Sequence, residues 1–134
     1  MILPNAEKES PLVLIVERDR FFRRYLESFF KDLKCEFEFA QDGMTTLKRI
    51  KIRTPDLLIL DVSLPRIDGL SVCKHIHSDP ATAKIPILVF SSIDVKSQAL
   101  EAGARDFLLK PFDEPVFSKF ISPYLKFPEE GRKP

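Results

Sequence analysis

The chain has 134 residues, of which 44% are hydrophobic, and this size fits one globular domain with little room for a second. Its 21 basic and 20 acidic residues leave a net charge of +1, so no overall basic surface of the kind that binds nucleic acid is present. No apolar run approaches the roughly 18 residues of a membrane span, and the N-terminus lacks a signal-peptide pattern. We predict a soluble, cytoplasmic protein that contacts neither a membrane nor nucleic acid directly.

The first half of the chain alternates between apolar runs and segments with helical spacing. Residues 1–10 are mixed and polar and are interpreted as a loose N-terminal arm. The apolar run 11–16 is typical of an inner strand of a parallel sheet. Apolar residues then recur at helical spacing over 20–33, and Asp19 is placed to cap this helix. The next predicted elements are a strand at 35–40, a helix at 44–52 and a strand at 56–60.

The first predicted helix carries more aromatic residues than one buried stripe can hold. We interpret them as helix core with at least one ring at the rim, because this is far commoner than a cofactor-stacking surface. The five aromatic residues are Phe21, Phe22, Tyr25, Phe29 and Phe30.

The second half of the chain continues the alternation. Its predicted elements are a helix at 70–77, a strand at 87–90, a helix from Asp94 to about Ala102, a strand at 107–109 and a helix at 116–125. Five repeats of strand and helix imply a parallel sheet with helices on both faces and right-handed crossovers. The domain is expected to span 11–126, with 127–134 as a tail or the start of a linker. Whether the protein stands alone or is part of a longer one stays open.

Chemically matched residues stand at the ends of four predicted strands. Glu17, Asp61, Ser91 and Lys110 each follow a buried apolar run. Functional residues of such folds lie beyond the carboxyl ends of the strands, so two carboxylates, a hydroxyl and an ammonium should meet at one edge. Charged residues at one strand end are ordinary, but four such groups on separate strands predict a site.

The motifs around these residues resemble the receiver domains of two-component signalling. The matching stretches are Leu-Ile-Val-Glu at 14–17, Leu-Ile-Leu-Asp-Val-Ser-Leu-Pro-Arg-Ile-Asp-Gly at 58–69, Val-Phe-Ser-Ser at 89–92 and Gly-Ala-Arg-Asp-Phe-Leu-Leu-Lys-Pro-Phe at 103–112. The resemblance covers nearly all of 11–126. It implies an α/β, flavodoxin-like (βα)5 fold with a doubly wound parallel five-stranded sheet in the order 2-1-3-4-5.

The resemblance also implies roles for individual residues. Asp61 matches the aspartate that accepts a phosphoryl group from a histidine kinase or phosphotransfer protein, with Mg²⁺ as the metal. Lys110 and Ser91 match the lysine and hydroxyl that contact this group, and Phe107 matches the aromatic switch residue. Glu17, Asp61 and the backbone carbonyl of Ser63 match the metal ligands. The implied output is a downstream protein or a homodimer that binds the face of helix 4, strand 5 and helix 5.

One position departs from the family pattern. Receiver domains place a second acid after the first, whereas this chain has Arg18. With Arg18 turned inward, the charges of Glu17, Asp61, Arg18 and Lys110 sum to zero, and a guanidinium grips carboxylates firmly. An inward Arg18 would compete with Mg²⁺ for Asp61 or act as a built-in substitute for the metal. Turned outward, Arg18 leaves the site one ligand short, and Mg²⁺ would bind weakly through Glu17, Asp61 and the Ser63 carbonyl. We expect weakened Mg²⁺ binding.

Three alternative functions follow from these residues. A pseudo-receiver that binds or dimerises without phosphoryl transfer is favoured by Arg18. A phosphatase of the haloacid-dehalogenase type would need a second aspartate at the position of Ser63, so we expect no enzyme. A nucleotide- or flavin-binding protein would need a phosphate-cradling loop after the first strand, where the chain has the charged stretch 17–20.

Overall fold

The computed structural model describes residues 10–33 and 35–125. The strands are β1 (Leu12–Val16), β2 (Glu36–Ala40), β3 (Leu57–Asp61), β4 (Ile87–Ser91) and β5 (Asp106–Leu109). The helices are α1 (Arg20–Lys31), α2 (Gly43–Ile52), α3 (Gly69–Ser78), α4 (Lys96–Glu101) and α5 (Glu114–Ile121), with a 3₁₀ turn at Ser122–Tyr124. The predicted tail, and the predicted arm apart from Ser10, lie outside the described residues. None of the described helices has the length and apolar character needed to span a membrane.

The five strands form one parallel sheet in the order β2-β1-β3-β4-β5. This order confirms the predicted flavodoxin-like fold. The chain reverses its direction of winding between β1 and β3, and ligands of doubly wound sheets bind at such a switch point. β1, β3 and β4 are buried along their whole length, as their unbroken apolar runs predict.

A separate apolar core covers each face of the sheet. On one face α2, α3 and α4 pack through residues such as Ile50, Val72 and Ala99. On the other, α1 and α5 pack through an aromatic cluster that includes Phe30 and Phe117. The predicted overflow of aromatic rings is confirmed at the rim, where Phe21 is 80% exposed.

Aspartate side chains start most of the helices. Each accepts a hydrogen bond from a backbone N–H of the first turn, as Asp19 was predicted to do, and thereby pairs a donor that the helix cannot satisfy. The four capping residues are Asp19, Asp42, Asp68 and Asp113.

The helix boundaries differ most from the sequence prediction at α4 and α5. α4 begins at Lys96, because Asp94 accepts from the Lys96 N–H in the loop and leaves the helix without a side-chain cap. α5 begins at Glu114 rather than at 116, because Asp113 caps it and Pro115 is tolerated in the first turn. It ends at Ile121, where the chain tightens into the 3₁₀ turn.

Gly69 fastens the start of α3 to the end of β3. A Cβ atom at this position would lie 2.1 Å from the carbonyl oxygen of Asp61 and 2.8 Å from the Cα of Val62. The Gly69 N–H also donates to the Val62 carbonyl at 2.8 Å. A side chain here would push the helix away from the strand that ends at Asp61.

Candidate functional site

Three of the predicted site residues meet at the carboxyl edge of the sheet. The ammonium of Lys110 lies 2.7 Å from Glu17 Oε1 and 3.4 Å from Asp61 Oδ2. The Glu17 and Asp61 side chains are 1% and 6% exposed, and that of Lys110 is 16% exposed. Such burial strengthens the attraction between the charges, because little water screens them. Two carboxylates and one ammonium leave this cluster with a net negative charge.

Backbone hydrogen bonds of the two residues that follow Asp61 fix its position. The N–H of Val62 donates to the Phe90 carbonyl at 3.2 Å, which continues the β3–β4 ladder past the aspartate. The N–H of Ser63 points back to Asp61 Oδ1 at 3.3 Å. One carboxylate oxygen is thus near a backbone donor and the other faces Lys110. This arrangement fixes a nearly buried carboxylate at the strand end.

Glu17 is the most buried acid of the cluster. Burial raises the pKa of its carboxyl above the ordinary 4.5, and the hydrogen bonds from Lys110 and from the Asp19 N–H only partly oppose this shift. The negative charge of Asp61 acts in the same direction as burial. The ionised form of Glu17 therefore costs the folded protein free energy.

The substitution Glu17→Gln should raise the thermal midpoint by a few degrees at neutral pH in metal-free buffer. The folded protein binds the Glu17 proton more tightly than the unfolded chain, so stability falls as pH rises from 4.5 through the raised pKa. The amide avoids this loss, so its advantage should vanish below pH 4.5. Thermal scans across this pH range measure both effects.

The exposed Glu101→Gln serves as the control, because it removes the same charge from the surface. Its midpoint should track that of the unaltered protein across the range. A lower midpoint for Glu17→Gln at neutral pH would mean that the ion pair with Lys110 outweighs the cost of burial.

Ser91 adjoins this cluster at the end of its strand, whereas Phe107 lies in the core of the sheet. Ser91 is buried at the end of β4, where its hydroxyl accepts a hydrogen bond from the Ile93 N–H at 3.1 Å. Its carbonyl accepts from the Lys110 N–H at 2.7 Å, and so ties the ends of β4 and β5 together. Phe107 is buried in the core under α2, α3 and α4, away from the aromatic face of the sheet.

Arg18 takes the outward of its two predicted orientations. Its side chain is exposed, and within the described residues it makes no ion pair with Glu17 or Asp61. The guanidinium therefore does not occupy the cluster, and the site lacks an acid at this position. Asp19, one residue later, is used as the cap of α1.

Two phenylalanine rings at Lys110 are the part of the site that the sequence interpretation missed. The ammonium lies 4.2 Å from the centroid of Phe22 and 4.9 Å from that of Phe90. The helical spacing predicts Phe22 in the helix core, and its ring does pack edge-on against Phe90 and Phe112. One signal in the sequence could have placed Phe90 near this edge, because it directly precedes Ser91 at a strand end.

The carboxylate oxygens of this edge are of the kind that ligates a divalent cation. Glu17 and Asp61 offer carboxylates of the kind that Mg²⁺ prefers, and Mg²⁺ retains several waters in protein sites. Within residues 10–33 and 35–125, however, no three acidic, histidine or cysteine side chains come together as a metal site. Lys110 already neutralises part of the charge of both acids. Arg18 is exposed and adds no carboxylate to this pair.

Comparison with known proteins identifies the family. The family model of the response regulator receiver domain matches residues 13–122. The chain therefore belongs to the response regulator receiver domain family, and it is a receiver domain of two-component signalling.

Named response regulators resemble the chain over most of its length. PleD of Caulobacter vibrioides is 36% identical over 108 residues, which cover 78% of this chain and 24% of PleD. MprA of Mycobacterium sp. strain KMS is 40% identical over 103 residues, which cover 75% of this chain and 44% of MprA. The chain thus spans less than half the length of these curated relatives.

Solved structures share the same fold. A putative response regulator from Chloroflexus aurantiacus superimposes with a TM-score of 0.81 at 34% identity, covering 86% of this chain and 97% of that chain. A second match is the receiver domain of the sensor histidine kinase PA1611 from Pseudomonas aeruginosa, with 21% identity and a TM-score of 0.77. The superposition covers 86% of this chain and 97% of that domain's chain. That domain has a magnesium ion coordinated in its active-site cleft.

Proposed function

We propose that the chain is a receiver that is phosphorylated on Asp61 by a histidine kinase or a phosphotransfer protein. The observation that carries this proposal is the pairing of a nearly buried Asp61 carboxylate with the Lys110 ammonium at 3.4 Å. The cation stands on the side where negative charge would grow during phosphoryl transfer. In this role the chain is a signalling module rather than an enzyme.

The chemistry is an in-line displacement by one oxygen of Asp61. A new O–P bond forms while the N–P bond of the donor phosphohistidine breaks, and its electron pair leaves with the imidazole nitrogen. Lys110 would pair with the phosphoryl oxygens. The Ser91 hydroxyl already accepts from the Ile93 N–H, so its own proton can be donated to the phosphoryl group.

Glu17, Asp61 and the Ser63 carbonyl are the oxygen donors proposed to hold Mg²⁺. The metal, when bound, would neutralise charge on the transferring group. The binding is proposed to be weakened, since Arg18 stands where another acid would add a ligand.

The output is proposed to be a change at the face of α4, β5 and α5, coupled to the site through Ser91 and Phe107. Large apolar side chains are exposed on and beside these elements, and a downstream protein or a second copy of the chain would cover them. These side chains are Ile93, Leu100, Leu109 and Val116. The cytoplasmic location and the lack of direct nucleic-acid contact stay predictions of the sequence.

A pseudo-receiver remains the second candidate because of one observation. The site holds two acids and one resident cation, and Arg18 offers no third carboxylate. Such a domain would bind its partner through the same surfaces without phosphoryl transfer. The two candidates differ in whether Asp61 reacts.

Intact mass after incubation with acetyl phosphate, with and without Mg²⁺, separates the two candidates. A receiver should gain the mass of one phosphoryl group, and more of it with Mg²⁺ present. If the unaltered protein gains no mass while Arg18→Asp does, the pseudo-receiver is correct and Asp61 is idle in the natural chain.

A further inference from the structure

The surroundings of Lys110 are aromatic on one side and acidic on the other. Its ammonium lies against the rings of Phe22 and Phe90, at 4.2 and 4.9 Å from their centroids, and faces the carboxylates of Glu17 and Asp61. We propose that Phe22 and Phe90 are positioning residues, which seat the ammonium of Lys110 between the two acids. This inference rests on the proposed phosphorylation of Asp61.

The rings attract the ammonium without binding it to one point. The face of a phenyl ring is electronegative and stabilises a cation within about 6 Å of its centroid, more strongly where water is excluded. Here the lysine side chain is 16% exposed, so the rings replace water that would otherwise surround it. A lysine in water samples many rotamers, and the rings remove much of this freedom before any reaction.

The rings themselves are held by their neighbours. Phe90 is fully buried in β4, and Phe22 meets it edge-on with the centroids 5.4 Å apart. Phe112 also meets Phe22 edge-on at 5.4 Å and stacks on Phe90, with the two centroids 6.1 Å apart. The position of the ammonium is therefore set by the packed core between α1 and the sheet.

The position of the Lys110 ammonium against Phe22 and Phe90 has two opposite consequences for the site. The ammonium is nearer to Glu17 than to Asp61, at 2.7 against 3.4 Å, so it neutralises a carboxylate that Mg²⁺ would use. The same placement keeps a cation beside Asp61, where phosphoryl oxygens would arrive. This placement of the ammonium thus weakens metal binding and favours phosphoryl transfer. A residue that only supported the fold would change both properties in the same direction.

The test replaces Phe22 by leucine, which keeps the bulk of the side chain and removes the ring. We expect Phe22→Leu to bind Mg²⁺ about three-fold more tightly in a titration and to be phosphorylated about three-fold more slowly by acetyl phosphate at saturating Mg²⁺. Phe22→Tyr keeps a ring face and should restore both values. Phe29→Leu makes the same exchange on α1, away from Lys110, and should change neither.

NMR detects the contact between the Lys110 side chain and the Phe22 ring directly, and this measurement does not depend on phosphorylation. The Cε protons of Lys110 should be shifted upfield by the ring currents, and the shift should shrink in Phe22→Leu and persist in Phe29→Leu. If the unaltered protein takes no phosphoryl group, the proposed function fails. The Mg²⁺ titration and the proton shifts still test whether Phe22 positions the Lys110 ammonium. Unchanged Mg²⁺ affinity and unchanged shifts in Phe22→Leu would overturn the proposal, as would equal losses in both leucine variants.

Discussion

Asp61→Asn should lose all phosphoryl uptake, a fall of at least about a hundred-fold in the fraction of protein labelled. The amide is nearly isosteric with the carboxylate, but it carries no charge and cannot form the acyl phosphate. The backbone contact from the Ser63 N–H can persist to the amide oxygen, so the fold around the strand end should survive. Intact mass after incubation with acetyl phosphate and Mg²⁺ measures the loss.

Asp32→Asn is the matched control for this prediction. Asp32 is an exposed residue at the C-terminal end of α1, and its substitution removes the same charge. This variant should label like the unaltered protein. Labelling of Asp61→Asn at the level of this control would show that another residue accepts the phosphoryl group.

Arg18→Asp should bind Mg²⁺ at least about ten-fold more tightly than the unaltered chain. The substitution removes an exposed cation near the cluster and supplies the carboxylate that the family pattern has at this position. Both changes make the site more negative, and the added oxygen is a ligand that Mg²⁺ favours. Isothermal titration calorimetry of the metal into each protein gives the two affinities.

Two further variants separate charge from ligation. Arg24→Asp makes the same change of charge at an exposed site on α1, so it measures the long-range electrostatic part alone. Arg18→Ala removes the cation without adding a ligand and should fall between the two. An affinity for Arg18→Asp no higher than that of Arg24→Asp would mean that the new carboxylate does not reach the metal.

The fold and the acidic edge could be predicted because they depend on simple patterns. Unbroken apolar runs mark strands buried on both faces, and the residue after each run must lie at the carboxyl edge. Glu17, Asp61 and Lys110 stand at such positions, and the structure brings all three together. No knowledge of side-chain rotamers was needed for this step.

Side-chain direction and long-range contacts could not be predicted in the same way. The sequence left open whether Arg18 turns inward, because a loop residue next to a buried acid has room for both rotamers. Phe22 is separated from Lys110 by 88 positions, and helical spacing alone placed its ring in the core. That the same ring also meets an ammonium depends on how α1 packs over β4, which no local pattern specifies.

The cap of α1 explains why Asp19 does not serve as the acid that Arg18 replaces. Asp19 has a carboxylate one residue beyond Arg18, but its Oδ1 accepts the Phe21 N–H at 2.9 Å and its own N–H donates to Glu17. Turning this carboxylate toward a metal would leave the Phe21 N–H without its acceptor, at a cost of about 1 kcal/mol for the lost cap. The order of two adjacent residues, arginine then aspartate, thus assigns the available acid to helix initiation. For the proposed receiver, the affinity for magnesium would therefore depend on a helix-capping contact, and a reversal of the two residues would exchange helix capping for metal ligation.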